Sequence, residues 1–150
     1  MREILFKAKR IDNGEWVEGF YYKMSETTYC FAEDYEWNPV PEHHYILQER
    51  MTDWGLPNQI IQIEVDSKTL CQFTGLCDEN GNKIWENDII QYGAAAAVVK
   101  FGEYGNRDLG FYIDFPEETN YRKDFSYWVD KVVVIGNAVD NRSLLQEVPE

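Results

Sequence analysis

The sequence predicts an all-β protein: a meander of hairpins followed by a small barrel-like C-terminal lobe, with little helix beyond a short C-terminal turn. Three observations carry this. Asn-Gly dipeptides stand between apolar runs at Asn13-Gly14 and Asn80-Gly81, the strongest short signal for a hairpin. Short strand-like runs recur at regular intervals, and no ten-residue stretch has the amphipathic period of a helix. Aromatic residues make up 15% of the chain, including ten Tyr and five Trp, side chains that favour pleated, half-buried surfaces.

In chain order, Ile4, Phe6 and Ala8 alternate with Leu5, Lys7 and Lys9, so Ile4–Ile11 reads as a half-buried strand that returns over Asn13-Gly14 as Glu15–Tyr22. Tyr29-Cys30-Phe31 is expected to add a third strand. Glu33–Glu42 carries two prolines and four acids and reads as a loop or an edge. Tyr45–Gln48 and Ile60–Val65 read as strands, the second with Ile61, Ile63 and Val65 on one face, separated by a turn at Asp53–Asn58.

Gln72–Tyr92 is the most sharply punctuated stretch. Asn80-Gly81 suits a two-residue type I′ turn, in which both residues reach positive φ, with Leu76 and Ile84-Trp85 on either side. A second turn at Glu86-Asn87-Asp88 launches Ile89-Ile90, and an Asp just before a buried strand characteristically hydrogen-bonds the turn amides. Ala94–Ala97 favour helix by propensity yet lie between the strand candidates Ile89–Tyr92 and Val98–Phe101. Gly102–Gly110 reads as a glycine-rich turn, Gly110–Phe115 as a strand stopped by Pro116, and Glu117–Asp124 as a polar loop. Trp128-Val129 and Lys131–Asn137 supply the closing strands, and Asp140 or Asn141 caps a final helical turn that docks Leu144-Leu145. The positions expected to set turns are Asn13, Gly14, Gly75, Asn80, Gly81, Asp88, Gly136 and Asn137. The expected division is an N-terminal meander with an acidic loop, 1–66, and a barrel-like lobe, 67–150, compatible with one compact unit.

Charge narrows the function. A formal net charge of −13 and a pI near 4.5 oppose binding to nucleic-acid phosphate and anionic membrane, where cations must neutralise the surface. Lys7, Lys9 and Arg10 form the one basic corner. Between residues 26 and 53 the acids Glu26, Glu33, Asp34, Glu36, Glu42, Glu49 and Asp53 face a single base, Arg50. Glu33, Asp34, Tyr35, Glu36 and Trp37 are therefore the candidate binding residues, suited to a partner with a basic surface.

The chemistry-bearing residues are sparse. Cys30, Cys71 and Cys77 are odd in number and form no CxxC pair, which speaks against a disulfide framework or a four-ligand zinc site. Buried free thiols in a reducing cytoplasm are expected. His43-His44 read as an exposed loop pair: neighbours on an extended chain point to opposite sides, and there is no third histidine, so no metal site is expected. Asp78–Asn82 brushes against the calcium-loop pattern, but Gly81 comes fourth rather than sixth and Ile89 stands where the final glutamate belongs. GxSxG, GxGxxG and GxxxxGK[ST] patterns do not occur, so no catalytic residue is assigned and no cofactor is expected. No run approaches the roughly 20 apolar residues of a membrane helix. Met1–Lys7 also lacks a signal peptide's apolar core, so a soluble, cytoplasmic protein is expected.

Gln72-Phe73-Thr74-Gly75-Leu76, followed by Asp78-x-Asn80-Gly81-x-Lys83-Ile84-Trp85-Glu86-x-Asp88-Ile89-Ile90, resembles the signature of the YopX family, small proteins of phages and prophages in Gram-positive bacteria. Arg2-Glu3-Ile4-x-Phe6-x-Ala8 is similar to that family's N-terminus. Val134-Ile135-Gly136-Asn137 with Asp140-Asn141-x-x-Leu144-Leu145 is similar to its C-terminus. Cys77 departs from the pattern, standing where a lysine is more usual. The resemblance implies a β-rich fold and a phage or prophage origin, and carries over no catalytic residue.

With that resemblance, the expected function is a non-enzymatic prophage accessory protein, homo-oligomeric, that binds a host or phage protein in the bacterial cytoplasm. One alternative is an acidic nucleic-acid mimic, with Glu33–Glu42 and Glu117–Asp124 blocking a host DNA-binding protein. Another is a carboxylate-dependent hydrolase using Asp88 or Glu86, with His43 or His44 as proton carrier.

Overall fold

The computed structural model describes residues 2–145. The fold is all-β: antiparallel strands dominate, with two short helices among the described residues. The chain divides into two compact units, residues 5–70 and residues 1–4 with 71–150.

In the 5–70 unit, β1 (Phe6–Lys9), β2 (Trp16–Ser25), β3 (Glu42–Arg50) and β4 (Gln59–Glu64) form an antiparallel meander in the order β4-β3-β2-β1. Strand side chains alternate between faces. The register sets Ala8 beside Val17, Tyr21 beside Ile46 and Ile46 beside Ile63, so one face is continuously apolar. Ala8, Ile46 and Val65 are fully buried there, packed by Phe6, Val17, Tyr21, Ile63 and Leu70. Burying a side chain such as Ile46 is worth about 1.5–3 kcal/mol. Arg10 bridges Val65, Ile11 N–H donates to Glu64 O at 3.1 Å and Asp66 N–H to Lys9 O at 2.9 Å, so the sheet curls until the end of β1 meets the end of β4.

Two expectations fail in this unit. Tyr29–Phe31 is not a strand, because β3 already occupies the place beside β2 and Tyr29 N–H donates to Tyr35 Oη at 2.9 Å. Glu33–Glu42 is not simply a loop: α1 (Ala32–Trp37) forms within it, with Glu33 and Asp34 in the first turn, where acids complement the helix dipole. Residues 27–40 are thus an excursion closed at its neck by Glu26 N–H donating to Pro41 O at 3.1 Å.

In the second unit, β5 (Cys71–Cys77) and β6 (Lys83–Trp85) form a hairpin. β7 (Asp88–Tyr92), β8 (Ala95–Tyr104), β9 (Asp108–Ile113) and β10 (Val133–Asn137) form a sheet in the order β10-β7-β8-β9. The sheet is open rather than a closed barrel. Its core gathers Ile84, Ile90, Val99, Ile113, Phe115 and Trp128.

Three local expectations need correction here, and the alanine run, open between helix and strand in the sequence, is decided. The Asn80-Gly81 turn is not type I′, since only Gly81 has positive φ, at 83°. Asp78 N–H donates to Asn82 O at 2.8 Å and Gly81 N–H to Asp78 O at 3.0 Å, a three-residue loop of the type I plus bulge kind. Asp78 decides this, because its Oδ1 accepts from Asn80 and Asn82 N–H and so holds the longer turn. The alanine run enters β8, where Ala96 and Ala97 are buried and paired with Gln91 and Ile90, so ladder and core override helix propensity. Most of Gly102–Gly110 is ladder, with Gly102 opposite Gly110 across β8 and β9. Trp128 closes a short helix, α2 (Phe125–Trp128), rather than a strand, and its indole N–H donates to Arg122 O at 2.7 Å. The chain's last described turn, Arg142–Leu145, leaves Leu144 and Leu145 half-buried. The Asn141 side chain accepts from Asn137 N–H at 3.2 Å.

Candidate binding face

With Ala8, Val17, Tyr21 and Ile46 turned inward, the alternate residues of the same strands must face out. That outer face is also apolar. Phe20 stands beside Leu47 and Tyr22 beside Tyr45, while on β4 Gln62 and Glu64 take the places beside them and Ile60 lies opposite Glu49, diagonal to Leu47. Phe20, Tyr22 and Ile60 are 59%, 49% and 77% exposed, in a chain whose net charge is −13. Isolated exposed apolar residues are ordinary, whereas a contiguous row across neighbouring strands marks a contact surface.

At one end of this face lies a histidine clip. Met24 pairs with His43, whose Nδ1 lies 2.6 Å from Glu64 Oε2 and whose Nε2 lies 2.9 Å from Glu26 Oε1. Hydrogen bonding to Glu64, then to Glu26, raises the His43 pKa above its ordinary value. The clip ties β3 to β4 and to the neck of the excursion. His44 points to the other side, with Nδ1 2.6 Å from Tyr21 Oη and its ring stacked on that tyrosine. Both histidines therefore belong to β3, not to an exposed loop. On β1, Lys7 and Lys9 lie 4.8 and 5.5 Å from the Trp16 ring, so the basic corner rests on an aromatic.

The candidate residues of the excursion stand on α1. Tyr35 is tied to Tyr29, edge to face at 5.2 Å, while Trp37 is 82% exposed, Glu33 and Glu36 face solvent and Asp34 is half-buried. They flank the connection from β2 to β3, the end at which the clip sits. A shallow groove of about 480 Å³, lined by Lys9, Arg10, His44, Glu64, Asp66 and Ser67 among others, lies at the same end of β4 as the clip, which shares Glu64 with it, and mixes both charge signs. No group of three His, Cys, Asp or Glu among the described residues is arranged to hold a metal ion.

The remaining sequence candidates lie elsewhere. Asn13 Oδ1 accepts from Glu15 N–H at 2.9 Å, and Gly14 carries the first hairpin turn. Gly75 sits where the β5–β6 register shifts between Phe73 and Cys77. Gly136 marks a bulge in β10, where an added Cβ would lie 2.8 Å from Asn141 Oδ1, and Asn137 Oδ1 accepts from the N–H groups of Val139 and Asp140. Asp88 is 3% exposed and its Oδ2 accepts from Trp85 N–H at 2.8 Å. Asp88 and Glu86 belong to one compact unit and His43 and His44 to the other. Cys71 is buried, but Cys30 and Cys77 are exposed, contrary to expectation: one lies on the excursion and the other at the end of β5 beside its turn. No helix among the described residues is long and apolar enough to cross a membrane.

The YopX protein family model matches residues 5–146. The chain belongs to the YopX family. A crystal structure of protein EF1440 from Enterococcus faecalis is similar to this YopX-family chain at 21% identity, covering 97% of this chain and 99% of that one, with a TM-score of 0.44. No curated protein matches.

Sequence reasoning missed Phe20, Tyr22 and Ile60 as a set. The available signal was that Phe20-Tyr21-Tyr22 and Ile60-Ile61 are apolar on both faces, which a strand buried on one side does not need.

Proposed function

We propose that this YopX-family chain is a protein-binding module of phage or prophage origin that works inside the bacterial cell. Its partner is a protein whose contact surface is apolar at the centre and basic at the rim. The reading rests on one observation, the exposed Phe20 and Tyr22 beside Leu47 and Tyr45, with Ile60 diagonal to Leu47, on the outer face of a strongly acidic chain. Aromatic anchors supply affinity once desolvated. Acids around them, Glu18, Glu49 and those of α1, supply steering and selectivity for a cationic rim. The charge that opposes phosphate and anionic lipid favours such a rim.

The test is capture from host lysate with the intact chain and with F20S/Y22S, whose side chains are exposed and leave the core untouched. The expected result is a partner of basic isoelectric point, retained at low salt, weakened as salt rises and lost from the variant. Loss of two aromatic anchors at about 2 kcal/mol each weakens binding by at least about a hundredfold. The reading fails if no partner is retained at low or physiological salt, or if the variant retains it equally well.

A further inference from the structure

We propose that the outer edge of β4 pairs antiparallel with β4 of a second copy of this chain, making a two-fold dimer centred on Ile61. The proposal rests on the backbone of the strand's edge rather than on the sheet's outer face; the Ile60 side chain is common to both, so the test reads self-association of the chain alone.

The hydrogen-bond phase of β4 follows from three contacts. Val65 N–H donates inward to His44 O, at 2.9 Å, whereas Glu64 O accepts from Ile11 on the opposite side and Asp66 N–H donates to Lys9 O on that side. Odd residues of β4 therefore serve β3, and even residues point their N–H and C=O groups outward. Beyond the part covered by Ile11, those outward groups belong to Ile60 and Gln62. β4 is the last strand of its meander, and among the described residues no backbone group bonds to either from outside. Ile60 and Gln62 are exposed.

Proteins blunt such edges with charge, proline, bulges or cover. Here Asn58-Gln59-Ile60-Ile61-Gln62-Ile63 carries no charge and no proline, in a chain with 27 acids. A basic partner gains nothing electrostatic from this edge, whereas a second copy meets no opposed carboxylates on it. Outward residues must pair with outward residues, so Ile60 falls opposite Gln62 of the second copy, Gln62 opposite Ile60, and Ile61 opposite its own counterpart on the axis. The backbone N–H and C=O of each outward residue are then satisfied. Glu64 comes to lie opposite Asn58 rather than another acid. The connection from β3 into β4 carries further exposed apolar side chains, with Met51, Trp54 and Leu56 at 72%, 91% and 59% exposure.

The sign of the salt effect separates this contact from partner binding. Two copies at −13 each repel, so screening strengthens the dimer, whereas salt weakens attraction to a basic partner. The test is sedimentation velocity on the full chain, with I60K/Q62K and I60E/Q62E measured singly and mixed, and circular dichroism confirming that each is folded. The expected result is a wild-type dimer favoured by salt, each variant alone monomeric, and the mixture dimeric, because the register sets Lys against Glu at both pairs. A monomeric wild type overturns the proposal. So does a wild-type oligomer that either variant leaves intact, which would place the contact on another surface, or a mixture that fails to associate.

Discussion

Asp78 Oδ2 accepts the backbone N–H of Val134 at 3.0 Å, joining the central turn to β10 across 56 positions of sequence. The same carboxylate holds the turn through Asn80 and Asn82 N–H, at 2.9 and 2.8 Å. Glu79 N–H donates to Val132 O beside it, so a local turn is also a long-range fastening. Asp78→Ala strands three amides at a site only 6% exposed and is expected to cost about 3 kcal/mol in urea unfolding. Asp78→Asn keeps an acceptor for the turn and costs about half as much, a difference that vanishes if the turn alone matters.

Burial works to raise the Asp78 pKa, but the amides of Val134, Asn82 and Asn80 outweigh it and hold the group below its ordinary value. A lowered carboxyl pKa stabilises the fold above the unfolded value of about 3.9, and that contribution is lost as pH falls through the lowered folded value. Acid unfolding of Asp78→Asn is therefore expected to show a shallower pH dependence below about pH 4 than wild type. Parallel acid profiles would show that Asp78 is not the group being titrated.

His43 has the opposite sign. Its raised pKa makes the clip's contribution complete below the unfolded value of about 6.5, and the contribution is lost as pH rises through the higher folded value. A neutral imidazole has one N–H and can donate to Glu64 or Glu26, not both. Glu64 is the closer partner, at 2.6 Å against 2.9 Å, so deprotonation releases Glu26 and loosens the neck at Pro41. Ring-proton titration is expected to give a smaller pKa drop in Glu26→Gln than in Glu64→Gln. Amide exchange at Glu26 should quicken on the alkaline side of the His43 titration. Exchange that does not change across it would separate the neck from the clip.

The parts of the fold legible in sequence were those that local residues decide alone. Alternation marked strands in Ile4–Ile11, of which Phe6–Lys9 forms β1, and in Ile60–Val65, of which the part to Glu64 lies in β4, and the glycines at 14 and 81 marked reversals. What stayed hidden depended on partners remote in sequence. Ala96 and Ala97 become strand because Gln91 and Ile90 await them in β7, and Trp128 becomes helix because the core around Phe115 and Ile113 takes it in that direction. The candidate face was concealed for a related reason. Phe20 and Tyr21 look alike in composition, and only the register with β3 separates the outward residue from the inward one. Acidity and aromatics pointed to α1, while a second exposed apolar surface stands on β2 and β3, the strands that α1 connects.

The register of β2 on β3 can itself be tested by comparing two glycines. At Gly19 an added Cβ would lie 2.3 Å from Leu47 O and 2.8 Å from Ile46 Cγ2, and the first of these is backbone held in the ladder. Room for a methyl comes only by parting the strands that carry the candidate face. Gly14 has open space around it but a φ of 73°, so alanine there meets backbone strain alone, about 1 kcal/mol. Gly19→Ala is expected to cost about 3 kcal/mol or more and to disturb the face, with Gly14→Ala nearly silent in partner binding. Equal urea midpoints for the two variants would mean that β2 and β3 do not approach as closely as this register requires, and the row of Phe20 and Tyr22 would lose its geometry with it.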